Sequence, residues 1–201
     1  MYKKYIAEGV GTFALAFVVL AAASAASLGS IPLPVPVIAA LTLGLFVYTI
    51  GAISGCHLNP AVTIGLLTIK KINNQDAILY VLAQMVGAVV AVLLAQVFVI
   101  AIPANSMVFD ARAFGAEALG TAFFAFGIAS VVYGNAKEQM SGVVVGWSLL
   151  FGILIASFGG AFGILNPAVA FAVNAVSVIY IFAPIVGAVL GFQAYKFLAD
   201  K

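Results

Sequence analysis

A chain of 201 residues in which 65% are hydrophobic and only 7% charged cannot be a water-soluble globule, because soluble domains carry about 25% charged residues to cover a wet surface. Its outer surface must face lipid. Eight Lys and Arg against six Asp and Glu leave a net charge of +2, which gives no footing for nucleic acid or an acidic partner. The single cysteine, Cys56, excludes an intrachain disulfide and makes a thiolate metal cluster implausible.

Crossing a hydrocarbon core of about 30 Å takes about 20 apolar residues, each rising about 1.5 Å. Six stretches meet that length: 5–27, 36–54, 77–102, 112–133, 141–160 and 178–198. Runs such as Val86-Gly87-Ala88-Val89-Val90 do not alternate apolar with polar residues, as barrel strands do. The pattern therefore predicts an all-α membrane protein with six transmembrane helices.

The first span follows Met1-Tyr2-Lys3-Lys4 and ends in Ala21-Ala22-Ala23-Ser24-Ala25-Ala26-Ser27, which has the outline of a signal peptide. A partner segment in the second half, described below, argues that it is kept. Between spans one and two, Pro32, Pro34 and Pro36 cannot continue a helix and predict an extended loop. The stretch 70–76 is the most polar, and 103–112 and 134–139 are the other breaks. None is long enough for a second domain, so 1–201 reads as one domain. If Lys3 and Lys4 are cytoplasmic and six helices alternate, every lysine lies inside and Arg112 alone lies outside. That satisfies the positive-inside rule with both termini cytoplasmic, at the cell's inner membrane.

The chain repeats itself. Ala7-Glu8-Gly9-Val10-Gly11-Thr12 recurs as Ala116-Glu117-Ala118-Leu119-Gly120-Thr121, and Leu58-Asn59-Pro60-Ala61-Val62 as Leu165-Asn166-Pro167-Ala168-Val169. Tyr80, Gly87 and Ala88 recur as Tyr180, Gly187 and Ala188. Matches in one order at similar offsets define two repeats, approximately 1–105 and 106–201. Each holds three spans, an odd number, so the second enters the membrane from the opposite side as an inverted repeat.

Two short apolar segments lie between spans two and three and between spans five and six. After each Asn-Pro-Ala come only about ten helical residues, or about 15 Å, half the hydrocarbon thickness. Each is too short to cross alone; entering from opposite faces, two re-entrant half-helices make one span. Proline suits the first helical position and asparagine the cap before it. Asn59, Pro60, Ala61 and Asn166, Pro167, Ala168 would thus place two helix N-termini head to head at the bilayer centre. Irregular backbone at that depth persists only where it is buried or lines a water-filled cavity. The carbonyls of Gly55, Cys56, His57 and Leu58, and of Gly163, Ile164 and Leu165, are then expected to form a ladder of acceptors along a pore. A water turning its oxygen to the two amides breaks the chain a hopping proton needs, and the positive helix ends repel cations.

Ser54-Gly55-Cys56-His57-Leu58-Asn59-Pro60-Ala61-Val62-Thr63 closely resembles the first signature of the aquaporin and glycerol-facilitator family. Ala7–Thr12, Ala83–Ala88 and Tyr180–Ala188 resemble its first, third and sixth helices, and the resemblance covers essentially the whole chain. It implies six helices plus two half-helices per protomer, one pore per protomer and a homotetramer. The family usually follows its second motif with an arginine that forms the narrow outer filter. Here that position is Val169, with Ala39, Leu154 and Gly163 as the matching partners. Such a filter is wide and apolar. Ala170 stands where glycerol facilitators place an acid.

Glu8 and Glu117 each cost about 2.5–3.5 kcal/mol or more within a span. They read as buried structural carboxylates that accept hydrogen bonds from the re-entrant backbone rather than as snorkelling side chains. His57 reads as a satisfied scaffold residue rather than a pH sensor. Cys56 either faces the pore or is an inert buried thiol. Phe158 and Phe162 either narrow the outer mouth or touch lipid. Gly187 and Gly191 predict close helix packing. The expected function is a passive channel for water or small uncharged solutes, with ammonia, hydrogen peroxide and glycerol within its compass. It needs no cofactor, metal or catalytic residue. The alternatives are a coupled secondary transporter, disfavoured because no ionisable pair sits at the midplane, and a non-conducting membrane scaffold sealed by dewetting. An enzyme is excluded by the lack of any nucleophile–base pair.

Overall fold

The computed structural model describes residues 2–30, 33–98 and 108–199. Its helices are α1 (Lys3–Ser27), α2 (Val35–Ser54), α3 (Pro60–Thr68), α4 (Asn74–Val97), α5 (Ala111–Val132), α6 (Ser141–Phe158), α7 (Pro167–Ala172) and α8 (Val178–Ala199), with one 3₁₀ turn at Glu138–Met140. Among the described residues there is no strand. Six helices, α1, α2, α4, α5, α8 and α6 with its preceding turn, are long and apolar enough to cross a membrane. Large apolar side chains such as Leu41, Leu45, Trp147 and Phe151 are exposed on their outer faces. A helix that stays hydrophobic on its outward side is a membrane span. The fold is that of an all-helical membrane protein.

Helix ends follow local chemistry. Pro34 caps α2 and Pro36 falls within its first turn, where a missing N–H costs nothing; the expected loop is thus shorter than its prolines suggest. Pro32 and the break at 103–107 lie outside the described residues. Asn73 caps α4, its Oδ1 accepting from Asp76 N at 2.9 Å, so that helix starts three residues ahead of the predicted 77. Asp110 does the same for α5 through Arg112 N at 2.8 Å.

The arrangement within one half is mirrored in the other. α1 packs on α2 and α4, and α5 packs on α6 and α8. The halves meet where α2 crosses α6, and each short helix reaches over: α3 lies on α8, and α7 on α1 and α4. The crossings are tight enough to demand glycine. A Cβ on Gly87 would collide with the carbonyl of Gly9, and one on Gly187 with that of Ala118. Backbones approach this closely in lipid because apolar burial gives helices no preference for each other over acyl chains, and packing must supply it.

The start of α1 and the end of α8 lie on one face. Lys4 is paired with Asp76 at 2.7 Å, Lys71 sits over the ring of Tyr133 at 4.5 Å, and Tyr133 meets Tyr195 near the end of α8. This is the terminal face; the end of α1, the start of α2 and the α6–α7 connection lie on the far face.

Candidate pore where two half-helices meet

α3 and α7 begin alike. Asn59 and Asn166 are extended, with φ −156° and −150°, and each is followed by a proline at the first helical position. Asn59 Oδ1 accepts from Ala61 N at 2.8 Å. Asn166 Oδ1 accepts from Ala168 N at 3.0 Å and Val169 N at 3.4 Å. The two helices also end alike, in left-handed residues Lys70 (φ 60°) and Asn174 (φ 55°). Beyond them, Lys71 N bonds back to Leu66 O at 3.0 Å and Ala175 N to Ala170 O at 2.8 Å. This closure stops α7 after six residues, short of the ten or so expected.

The caps are cross-linked. Asn59 Nδ2 donates to Leu165 O at 2.8 Å, and Asn166 Nδ2 donates to Leu58 O at 2.9 Å. Each amide so anchored keeps a second N–H. Both asparagines are nearly buried, at 3% and 4% exposure. The carbonyls of Leu58 and Leu165, expected within the ladder of acceptors, each hold the opposite half's amide.

Two buried carboxylates shape the loops before the caps. Glu8 Oε1 accepts from Ser54 Oγ at 2.7 Å and His57 N at 2.9 Å, and its Oε2 accepts from Leu58 N and Gln84 Nε2, both at 2.8 Å. Glu117 accepts from Gly163 N at 3.1 Å and from Leu165 N. Both carboxylates are fully buried. A trans peptide points its carbonyl opposite to the N–H it shares a plane with. Holding His57 and Leu58 N–H therefore turns the carbonyls of Cys56 and His57 away from Glu8. Holding Gly163 and Leu165 N–H likewise turns those of Phe162 and Ile164 away from Glu117. Cys56 (φ 53°), Leu58 (φ 49°), Gly163 (φ 69°) and Leu165 (φ 54°) are all left-handed. Non-glycine residues persist there only when surroundings over-determine them, and the carboxylates do so.

Further side chains brace the loop before Asn59. His57 Nδ1 lies 3.1 Å from Thr63 Oγ1, and Gln84 Nε2 donates to that oxygen at 2.9 Å. Tyr80 OH donates to Ser54 O at 2.7 Å. Sequence reasoning took Gln84 only as part of a helix motif; a glutamine in mid-span is itself the signal. Its counterpart in the second half is Pro184, and Glu117 has no such side-chain donor among the described residues.

A cavity opens on each side of the caps. The terminal-side vestibule, about 800 Å³, reaches Gly55, Cys56 and His57, with Lys70, Lys71 and Asp76 at its rim. Cys56 thus borders open space, though only 5% exposed. The far-side cavity, about 290 Å³, is bounded by Ala39, Ile153, Gly163, Ile164, Asn166 and Val169 among others. Leu154 is not on its wall. Leu149 and Ile153, one turn apart, face inward, whereas Leu154 is rotated outward and 39% exposed. Counting back from the motif missed by one residue, and Ile153 occupies the place expected for Leu154. Phe162 borders the cavity, stacked on Tyr180 with centroids 5.5 Å apart and donating its N–H to Tyr180 OH at 3.0 Å. Phe158 is 82% exposed and points elsewhere.

Comparison with known proteins agrees with this architecture. A family described as Major intrinsic protein matches residues 1–195. The chain is 35% identical to "Glycerol uptake facilitator protein-like 6" of Lactiplantibacillus plantarum, over 94% of both chains. It is 31% identical to "Aquaporin AqpM" of Methanothermobacter thermautotrophicus, over 99% of this chain and 98% of that one. The X-ray structure of the aquaglyceroporin from Plasmodium falciparum superposes with a TM-score of 0.69 at 23% identity, covering 98% and 95% of the two chains, which shows a shared fold. The chain belongs to the major intrinsic protein family, a family of passive membrane channels for water and small solutes and not of enzymes.

Proposed function

We propose that the two cavities and the caps between them form one continuous passage for small uncharged molecules, with Asn59 and Asn166 as its midpoint. The observation that carries this is the reciprocal anchoring of each asparagine amide on the opposite loop. It fixes two donors side by side at the junction of two helix N-termini, each with an N–H to spare. Partial positive charge at both helix ends opposes cations, and a solute oxygen bound there breaks proton hopping. Ala39, Ile153, Gly163 and Val169 form the far-side filter. Cys56 and His57 offer carbonyls to the vestibule, and Phe162 and Ile164 to the far side.

The reading extends to the assembly. The terminal face, which gathers Lys4, Lys70 and Lys71, is the cytoplasmic one by the positive-inside rule. The chain is one domain of two inverted repeats, set in the cell's inner membrane. Four copies form a homotetramer with one pore each.

Stopped-flow light scattering on proteoliposomes tests the passage. Water or a small neutral solute should cross faster than in empty vesicles, without an ion gradient. Uptake that needs a proton or sodium gradient indicates a coupled transporter, and no gain over empty vesicles indicates a sealed scaffold.

A further inference from the structure

The two cavities differ in chemistry. The vestibule is bordered by Ser54, His57, Asn73, Asn74 and Asp76, so a solute there finds both donors and acceptors. Among the described residues, the far-side cavity has a single polar side chain on its wall, Asn166, beside residues such as Ala39, Ile153, Phe162 and Val169.

The backbone makes up only half of this loss. The N–H groups of Phe162, Gly163 and Leu165 are drawn to Tyr180 and Glu117. Those of Ala168, Val169 and Ala170 are drawn to Asn166 itself. The carbonyls of Phe162 and Ile164 point the other way and accept no hydrogen bond among the described residues. Among the described residues, no side chain on the wall between the mouth and Asn166 donates a hydrogen bond, and these N–H groups are already taken while the carbonyls stay open.

We infer that the far-side passage sorts neutral solutes by hydrogen-bonding balance rather than by width. It favours molecules that donate hydrogen bonds and need few in return, ammonia being the small prototype. Water donates two and also accepts two, and both its lone pairs go unmet along this stretch. Ammonia has one lone pair to leave bare. A polar group left without a partner in a dry site carries its desolvation penalty uncompensated, so water crosses less readily than its dimensions allow. This rests on the channel reading above.

The test uses proteoliposomes of the full chain in a low-permeability lipid. Water is followed by osmotic shrinkage and ammonia by an entrapped pH-sensitive dye. Val169→Thr and Ala39→Ser each add a hydroxyl donor to the wall at little change in volume; Val169→Ala widens the passage and leaves it apolar. The expected result is an ammonia-to-water permeability ratio at least about threefold lower in both hydroxyl variants, the scale of one net hydrogen bond. In Val169→Ala both permeabilities should rise together. A ratio that ignores the hydroxyls but shifts in Val169→Ala overturns the sorting and leaves the channel standing. Wild-type vesicles no faster than empty ones for either solute overturn the channel reading and this inference with it.

Discussion

Gly163 lies against Ile153: a Cβ at position 163 would stand 2.8 Å from the Ile153 carbonyl oxygen and 2.9 Å from its Cγ2. The same residue has φ 69°, where a side chain is strained whatever the space. Gly163→Ala should therefore destabilise the detergent-solubilised protein by about 1–3 kcal/mol, seen as a lower Tm. Its mirror, Cys56, already carries a side chain at φ 53°, so Cys56→Ala should stay within about 1 kcal/mol of wild type.

The inward turn of Ile153 and the outward turn of Leu154 make opposite predictions for adjacent positions. Ile153→Trp should fill the far-side cavity and cut solute flux roughly tenfold or more, since passage depends on pore diameter. Leu154→Trp, facing outward, should conduct as wild type does. Equal effects in the stopped-flow assay would return Leu154 to the passage wall.

Glu8 accepts four hydrogen bonds that include two side-chain donors, whereas Glu117 is held by backbone. A glutamine in either place turns one acceptor oxygen into a donor facing donors. Hydrogen bonds to a charged group are each worth about 1.5–3 kcal/mol. Glu8→Gln should consequently lose more thermal stability than Glu117→Gln; the reverse order would mean that the Ser54 and Gln84 contacts contribute little.

Asn59→Asp keeps the acceptor that caps α3 but removes the donor to Leu165 O and adds negative charge at the junction. Cation or proton leak through proteoliposomes should rise above wild type, while Asn59→Ala should lose stability by about 1–3 kcal/mol through the orphaned carbonyl without that leak. An unchanged leak in Asn59→Asp would remove the helix ends from the account of ion exclusion.

Cys56 borders the vestibule with its thiol nearly covered. A small mercurial should slow permeation when applied from the terminal face, and Cys56→Ser should be insensitive. Labelling that leaves flux unchanged would put the thiol behind the wall.

The larger architecture was legible because it follows from length and period. Six runs near 20 residues, two that are half as long and an odd number of spans per repeat leave little choice. Asn59 and Asn166 were legible as caps because the Asn-Pro order has one good place on a helix. What remained hidden depended on rotation and depth. A one-residue error at Leu154 is a turn of about 100° around α6, and no count of positions along a loop fixes that angle. The stop of α7 after Ala172 is set by a left-handed Asn174, which competes with further apolar sequence that would serve equally well as helix. Nor does the sequence reveal that Leu58 and Leu165 present their carbonyls to each other's asparagine, since the contact spans both halves.

That last contact has a further consequence. A solitary three-helix half carries one hook, its asparagine, and one eye, its leucine carbonyl, and neither can reach the other within the same half. The complement exists only in an upside-down copy. Joining two copies on one ribbon with opposite insertion is thus what allows a single polypeptide to fasten its own constriction.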